Sequence, residues 1–116
     1  MEKDEIYLKH VLDAIESILV YVSGLNKEEF IKIENQMMQD AVIRELEIIG
    51  EAVGKLSDDI KRNNPDLPWR NISDMRNKLI HEYFGVDLAV VWKTIEADLP
   101  ILKKTILKLT EFLVEA

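Results

Sequence analysis

Arg76-Asn77-Lys78-Leu79-Ile80-His81-Glu82-Tyr83 decides how this chain is read. It gathers a guanidinium, a carboxamide, an imidazole and a phenol within about two helical turns. The surrounding residues set its period. Trp69, Ile72, Met75, Leu79, Ile80 and Tyr83 recur at helical spacing, so the segment from about Pro68 to Phe84 is predicted as an amphipathic helix and not a strand. Pro68 suits a first helical position, because the N–H it lacks would have no intrahelical partner there. Gly85 is placed for a left-handed stop, and Asp87 can cap the next helix.

On a helical wheel of about 100° per residue, Arg76 falls inside the apolar arc, close to the angle of Tyr83. A charge in that position needs a partner, since an unpaired buried charge is very costly. His81 points elsewhere, on the side of Arg70, Asp74 and Asn77. Arg76 and His81 therefore diverge by about 140° on a regular helix. They converge on one ligand only if the helix unwinds near its end or a second chain completes the site. His81 also falls in the last turn, where free carbonyls favour an imidazolium by about 0.3–1 kcal/mol. That suits a group that both takes and gives a proton near neutral pH.

The chemistry open to such a set is specific. A guanidinium grips a phosphate with two hydrogen bonds and stabilises charge that develops on it. An imidazole can deprotonate a ribose 2′-hydroxyl or protonate a departing 5′-oxygen. Asn77 stands one turn before His81 and could orient it. The plain alternative is a surface histidine at a helix end, with an arginine paired to a carboxylate at the edge of the core.

Arg76-x4-His81-x-Tyr83 resembles the Arg-x4-His-x-Tyr signature of the HepT toxins of the HEPN family. The resemblance extends to the run from Pro68 to Asn77, to Asp40-Ala41-Val42-Ile43-Arg44 and to Ile49-Gly50-Glu51-Ala52, and so covers nearly the whole chain. It implies an all-α, antiparallel helical bundle of four long helices and one or two short ones, forming a homodimer that brings two motifs together. It implies a ribonuclease toxin of a type VII toxin–antitoxin pair, with Arg76 and His81 catalytic and Asn77 supporting them. It also implies a cognate nucleotidyltransferase antitoxin of the MNT type, which transfers AMP from ATP to Tyr83 and blocks the site. RNA is the expected substrate, with no cofactor, no DNA and no membrane.

Composition is consistent with that reading. The 116 residues, 47% hydrophobic and 32% charged, suit one soluble domain spanning 1–116 with a core of its own. There is no cysteine, which is compatible with a reducing cytoplasm. Two histidines, His10 and His81, are too few and too far apart for a zinc site. No apolar run approaches the ~20 residues of a membrane span, and the charged start from Met1 to Glu5 lacks signal-peptide character. The net charge of −7 argues against a general nucleic-acid binder. Residues 61–81 nonetheless carry a net +3, with Lys61, Arg62, Arg70, Arg76 and Lys78 against Asp66 and Asp74, leaving −10 elsewhere. A basic strip on an acidic body suits brief contact with RNA or a partner of opposite charge.

The remaining helices follow from their periods. Leu8, Val11, Leu12, Ile15, Ile18, Leu19 and Val22 predict a first helix from about Asp4 to Val22, with His10 off its stripe. Asn26 and Glu29 form a capping box for a short helix through about Ile33. A long helix is expected from about Asn35 to Leu56, interrupted by Gly50 and Gly54, one turn apart, which suggests close approach of a neighbour. On it, Glu47 and Glu51 are the candidates to hold Arg76, with Glu51 preferred. Ser57 to Leu67 reads as a charged connection with a turn of helix. Asp87 opens a segment with Leu88, Val91, Trp92 and Ile95, and Pro100 marks a new helix or a kink before the last helix to about Val114. A rival from another class is a non-catalytic helical module that binds a nucleotide or a nucleotidyltransferase partner, with Arg76 gripping only phosphate.

Overall fold

Asn26 accepts a hydrogen bond from the backbone N–H of Glu29 at 2.9 Å, and the Glu29 carboxylate accepts one from the backbone N–H of Asn26 at 3.3 Å. This reciprocal cap starts the short helix that the sequence calls for. The structure is a computed structural model that describes residues 2–81 and 86–115, with the side chains of 3–79 and 86–111. Seven α-helices run through these residues: α1 (Glu2–Tyr21), α2 (Lys27–Phe30), α3 (Gln36–Gly54), α4 (Asp58–Asn63), α5 (Trp69–His81), α6 (Leu88–Lys93) and α7 (Leu99–Glu115). A 3₁₀ turn covers Ile33–Asn35 and a π turn covers Thr94–Asp98. No strand occurs among the described residues. The chain is an all-α bundle with four long helices, as expected, and more short pieces than the one or two expected.

The differences have local causes. The helix opened by Asn26 stops at Phe30 and not at Ile33, because Lys32 is extended (φ −63°, ψ 138°) and the chain restarts as a 3₁₀ turn. Gln39 stabilises that break: its buried amide donates to the carbonyls of Phe30 and Lys32 at 2.6 and 2.8 Å. The connection after α3 contains a true helix, α4, because the Ser57 hydroxyl accepts from the N–H of Ile60 and the buried Asp4 carboxylate accepts from the N–H of Ser57 at 2.9 Å. Near Pro100 the chain neither stops nor starts afresh. The backbone widens into the π turn, with the N–H of Leu99 reaching the carbonyl of Thr94, and passes straight into α7. Proline cannot donate to the carbonyl four residues back and its ring crowds that position, so a wider turn just before it relieves both problems.

α3 is the central helix, packed against α1 on one side and α5 on the other, while α7 lies along α1. The core forms where their apolar stripes meet. Leu8, Val11, Ile15 and Ile18 of α1, Val42, Leu46, Ile49 and Val53 of α3, and Leu102 and Ile106 of α7 are all essentially inaccessible. Phe30 closes one end against Trp92, with ring centroids 5.3 Å apart. Each such side chain contributes about 1.5–3 kcal/mol by leaving water. His10 is exposed, off the α1 stripe as its wheel position indicates.

Ile49, at 0% exposure, and Ile33, at 88%, bracket the range of burial. Ile49→Ala is expected to lower unfolding free energy by about 2–5 kcal/mol, since it leaves a cavity between helices. Ile33→Ala should change it by less than about 0.5 kcal/mol. Urea denaturation measures both, and equal losses would contradict this placement of the core.

Half-buried Glu45 on α3 has its carboxyl pushed above the ordinary carboxylate range by desolvation, with Arg44 pulling it back down. The folded chain therefore holds this proton more tightly than the unfolded chain. The ionised group weakens the fold as pH rises through the carboxylate range, and the penalty is absent at lower pH, where both states are protonated. Glu45→Gln should be more stable than the parent at neutral pH and converge with it in acid. Urea midpoints at the two pH values test this, and a glutamine variant less stable at neutral pH would refute it.

Candidate functional site

α5 begins after Pro68, whose carbonyl accepts from the N–H of Ile72 at 3.0 Å, and the indole N–H of Trp69 donates to the carbonyl of Asn64 at 2.8 Å. Proline thus stands just before the first turn, one position earlier than expected. From there the helix runs without a break through His81. Trp69 and Leu79 are buried, Ile72, Ser73, Met75 and Arg76 are half-buried, and Arg70, Asp74, Asn77 and Lys78 are exposed. Arg76 therefore sits at the edge of the apolar arc, half-buried, and not inside the arc as the wheel puts it.

What Arg76 meets there is the backbone of α3. A Cβ added to Gly50 would lie 2.8 Å from the Cβ of Arg76, 3.1 Å from its backbone nitrogen and 3.2 Å from the carbonyl oxygen of Ile72. The close approach suggested by paired glycines is thus realised at Gly50. At Gly54 the corresponding contact, to the Cβ of Ser73, is an ordinary 3.7 Å.

The arginine emerges beside Glu51. Its Nε lies 3.8 Å from Glu51 Oε2, an ion pair longer than a hydrogen bond, with the two side chains 41% and 47% exposed. Glu51 is shared, since its Oε1 lies 3.4 Å from Lys55 Nζ. Glu47, the other candidate, pairs with Arg44 at 3.2 Å. The guanidinium is therefore accessible and steered by a carboxylate that does not saturate its donors.

Asn77 is exposed on α5, one turn before His81. The His81 side chain, all of Tyr83, and the stop expected at Gly85 lie outside the described residues. The backbone through His81 is α-helical, so unwinding up to that point does not supply the convergence of Arg76 and His81.

The opposite side of α5 borders an apolar groove of about 490 Å³ that runs along the π turn and α7, lined by Ile72, Met75, Leu99 and Leu102 with Asp74 and Lys78 at its edge. Arg76 lines neither this groove nor a smaller one of about 240 Å³ beside Leu79 and Val90. The basic strip is weaker than its residue count suggests, because Arg62 is paired with Asp59 at 2.6 Å. Among the described residues no group of three or more His, Cys, Asp or Glu is placed to hold a metal, and no helix is long and apolar enough to cross a membrane.

Because the Arg76–Glu51 pair is half-exposed, it is worth at most about 1 kcal/mol. Arg76→Met, which keeps the methylene stem, should leave thermal stability within a few degrees of the parent. A large fall would mean that the arginine serves the fold and not a ligand.

Comparison with known proteins places this geometry in context. The profile of the family described as "HepT-like: Ribonuclease HepT-like" matches residues 11–109. A protein of Thermococcus cleftensis named "Probable ribonuclease HepT" is 47% identical over 97 residues, which cover 84% of this chain and 86% of the relative. A protein of Caldanaerobacter subterraneus named "Putative RNase" is 41% identical over 100 residues, covering 86% of this chain and 88% of that one. A "Gamma-glutamylcyclotransferase and putative RNase" of Methanocaldococcus jannaschii is 42% identical over 112 residues, 96% of this chain but only 50% of that longer relative. No solved structure matches the chain significantly.

Proposed function

We propose, for a chain that belongs to the HepT-like ribonuclease family, that residues 1–116 act as one HEPN-like domain cleaving RNA without a metal, as the cytoplasmic toxin of a toxin–antitoxin pair. The observation that carries this reading is Arg76. It is an accessible guanidinium held at a helix crossing, on the same unbroken helix as His81 and within a sequence that matches a ribonuclease family.

Arg76 binds the scissile phosphate and stabilises the charge that builds on its oxygens. The ribose 2′-oxygen attacks phosphorus, its proton passes to an imidazole, and the bond from phosphorus to the 5′-oxygen breaks. The leaving 5′-oxygen takes a proton from an imidazolium, and the products are a 2′,3′-cyclic phosphate and a free 5′-hydroxyl. The second copy of the chain supplies that imidazole, which takes the proton first and then gives it back as the acid, and a homodimer thereby answers the divergence of Arg76 from His81. Asn77 steadies His81 from one turn away, and Glu51 steadies Arg76.

Control falls to Tyr83, which lies two residues beyond His81. A nucleotidyltransferase antitoxin of the MNT type joins the tyrosine oxygen to the α-phosphorus of ATP, with pyrophosphate leaving. The added AMP blocks the phosphate-binding face with bulk and negative charge.

Purified chain incubated with RNA and a chelator tests the reading. Cleavage with 2′,3′-cyclic phosphate ends is expected, falling at least 100-fold in His81→Ala, a loss of general acid–base catalysis of the usual size. Intact RNA would instead favour a module that only binds nucleotide or partner. Co-expression with a neighbouring nucleotidyltransferase should add the mass of AMP to the parent chain and not to Tyr83→Phe.

A further inference from the structure

We propose that Gly50 is a positioning residue for Arg76, and that the absence of a side chain there fixes where the guanidinium stands. The proposal rests on the ribonuclease reading for its effect on activity, but not for its geometry. Glycine is the poorest helix former after proline, so two glycines one turn apart in α3 are a local disadvantage that needs a reason. The structure separates the two. An alanine methyl at position 54 would meet Ser73 at an ordinary contact distance of 3.7 Å. At position 50 it would meet Arg76 Cβ at 2.8 Å, Arg76 N at 3.1 Å and Ile72 O at 3.2 Å.

Those three atoms belong to backbone or to a side-chain root, so no rotamer change clears the space. α5 itself must lift from α3, and it must lift at Arg76. The guanidinium would move with it, away from Glu51, whose carboxylate is already 3.8 Å away. A catalytic group displaced by about 1 Å typically loses about 100-fold in rate. Gly50 therefore acts on the reaction without touching RNA, through the backbone of the residue that does.

The matched pair Gly50→Ala and Gly54→Ala tests this in the full-length chain. Both add one methyl to the same helix. Gly54→Ala should melt at or above the parent temperature and cleave RNA at the parent rate. Gly50→Ala should lose at least tenfold in kcat with KM within about twofold, because the displaced cation matters most once charge develops. The Arg76 Nε–Hε resonance, assigned by its loss in Arg76→Met, should shift in Gly50→Ala and stay in place in Gly54→Ala. Parent-like kcat and an unmoved resonance in Gly50→Ala would overturn the proposal.

If the parent cuts no RNA, the ribonuclease reading fails alone and the resonance still decides the geometry. If Gly50→Ala does not fold, Arg76→Gly supplies the second background, since it removes the facing Cβ. The alanine at position 50 should be better tolerated there, so that Gly50→Ala/Arg76→Gly folds where Gly50→Ala alone does not. Equal loss in both backgrounds would place the clash elsewhere and overturn the proposal.

Discussion

The contact between the backbone of Gly50 and the backbone of Arg76 is the constraint on which the rest depends. α3 is the central helix, and α5 is held mainly against it. At their crossing there is no room for a methyl group, so the two helices are in register to within a few tenths of an ångström. Everything that α5 carries inherits that register. Leu79 reaches the core, Trp69 seals the start of the helix, and the arginine is turned toward α3 and out beside Glu51.

A helix held in this way cannot roll to bring its other face to the same target. The backbone stays α-helical through His81, so positions 76 and 81 stand about 140° apart around the helix axis. The pairing of Glu51 with both Arg76 and Lys55 orients the cation loosely and leaves it accessible. That is a poor arrangement for stability, worth little at half-exposed positions, and a serviceable one for receiving a phosphate. It also explains how a chain of net charge −7 can present a local cation without being a general nucleic-acid binder.

Much of this was legible in the residues. The apolar arc of α5, the reciprocal Asn26–Glu29 cap and the Asp87 cap each follow from a local rule, and each is found, with the arginine at the edge of the arc and not inside it. The paired glycines announce a close approach but not its target, because spacing along one helix says nothing about which neighbour lies across it. Glu47 and Glu51 look equivalent in sequence. Glu47 has Arg44 one turn away, and only the packing of α5 brings a second cation to Glu51. The π turn before Pro100 was not legible either. Proline forbids one hydrogen bond, but whether the chain then kinks, stops or widens depends on whether α7 must stay continuous to reach α1. Ile49 falls on the helical repeat of Val42, Leu46 and Val53 and is fully buried as that repeat implies, whereas the 88% exposure of Ile33 follows from the break at Lys32, which the sequence did not show.

The central claim is that one copy of this chain supplies the cation and another the imidazole. Complementation between two inactive variants tests it most directly. Arg76→Met and His81→Ala chains, each inert as a homodimer, are co-expressed with different tags and the mixed dimer is isolated. If the site is shared, one of its two sites regains Arg76 from one copy and His81 from the other, and the mixed dimer recovers about half of the parent activity. A mixed dimer as inert as its parents would contradict the account, because each helix would then have to furnish both groups alone.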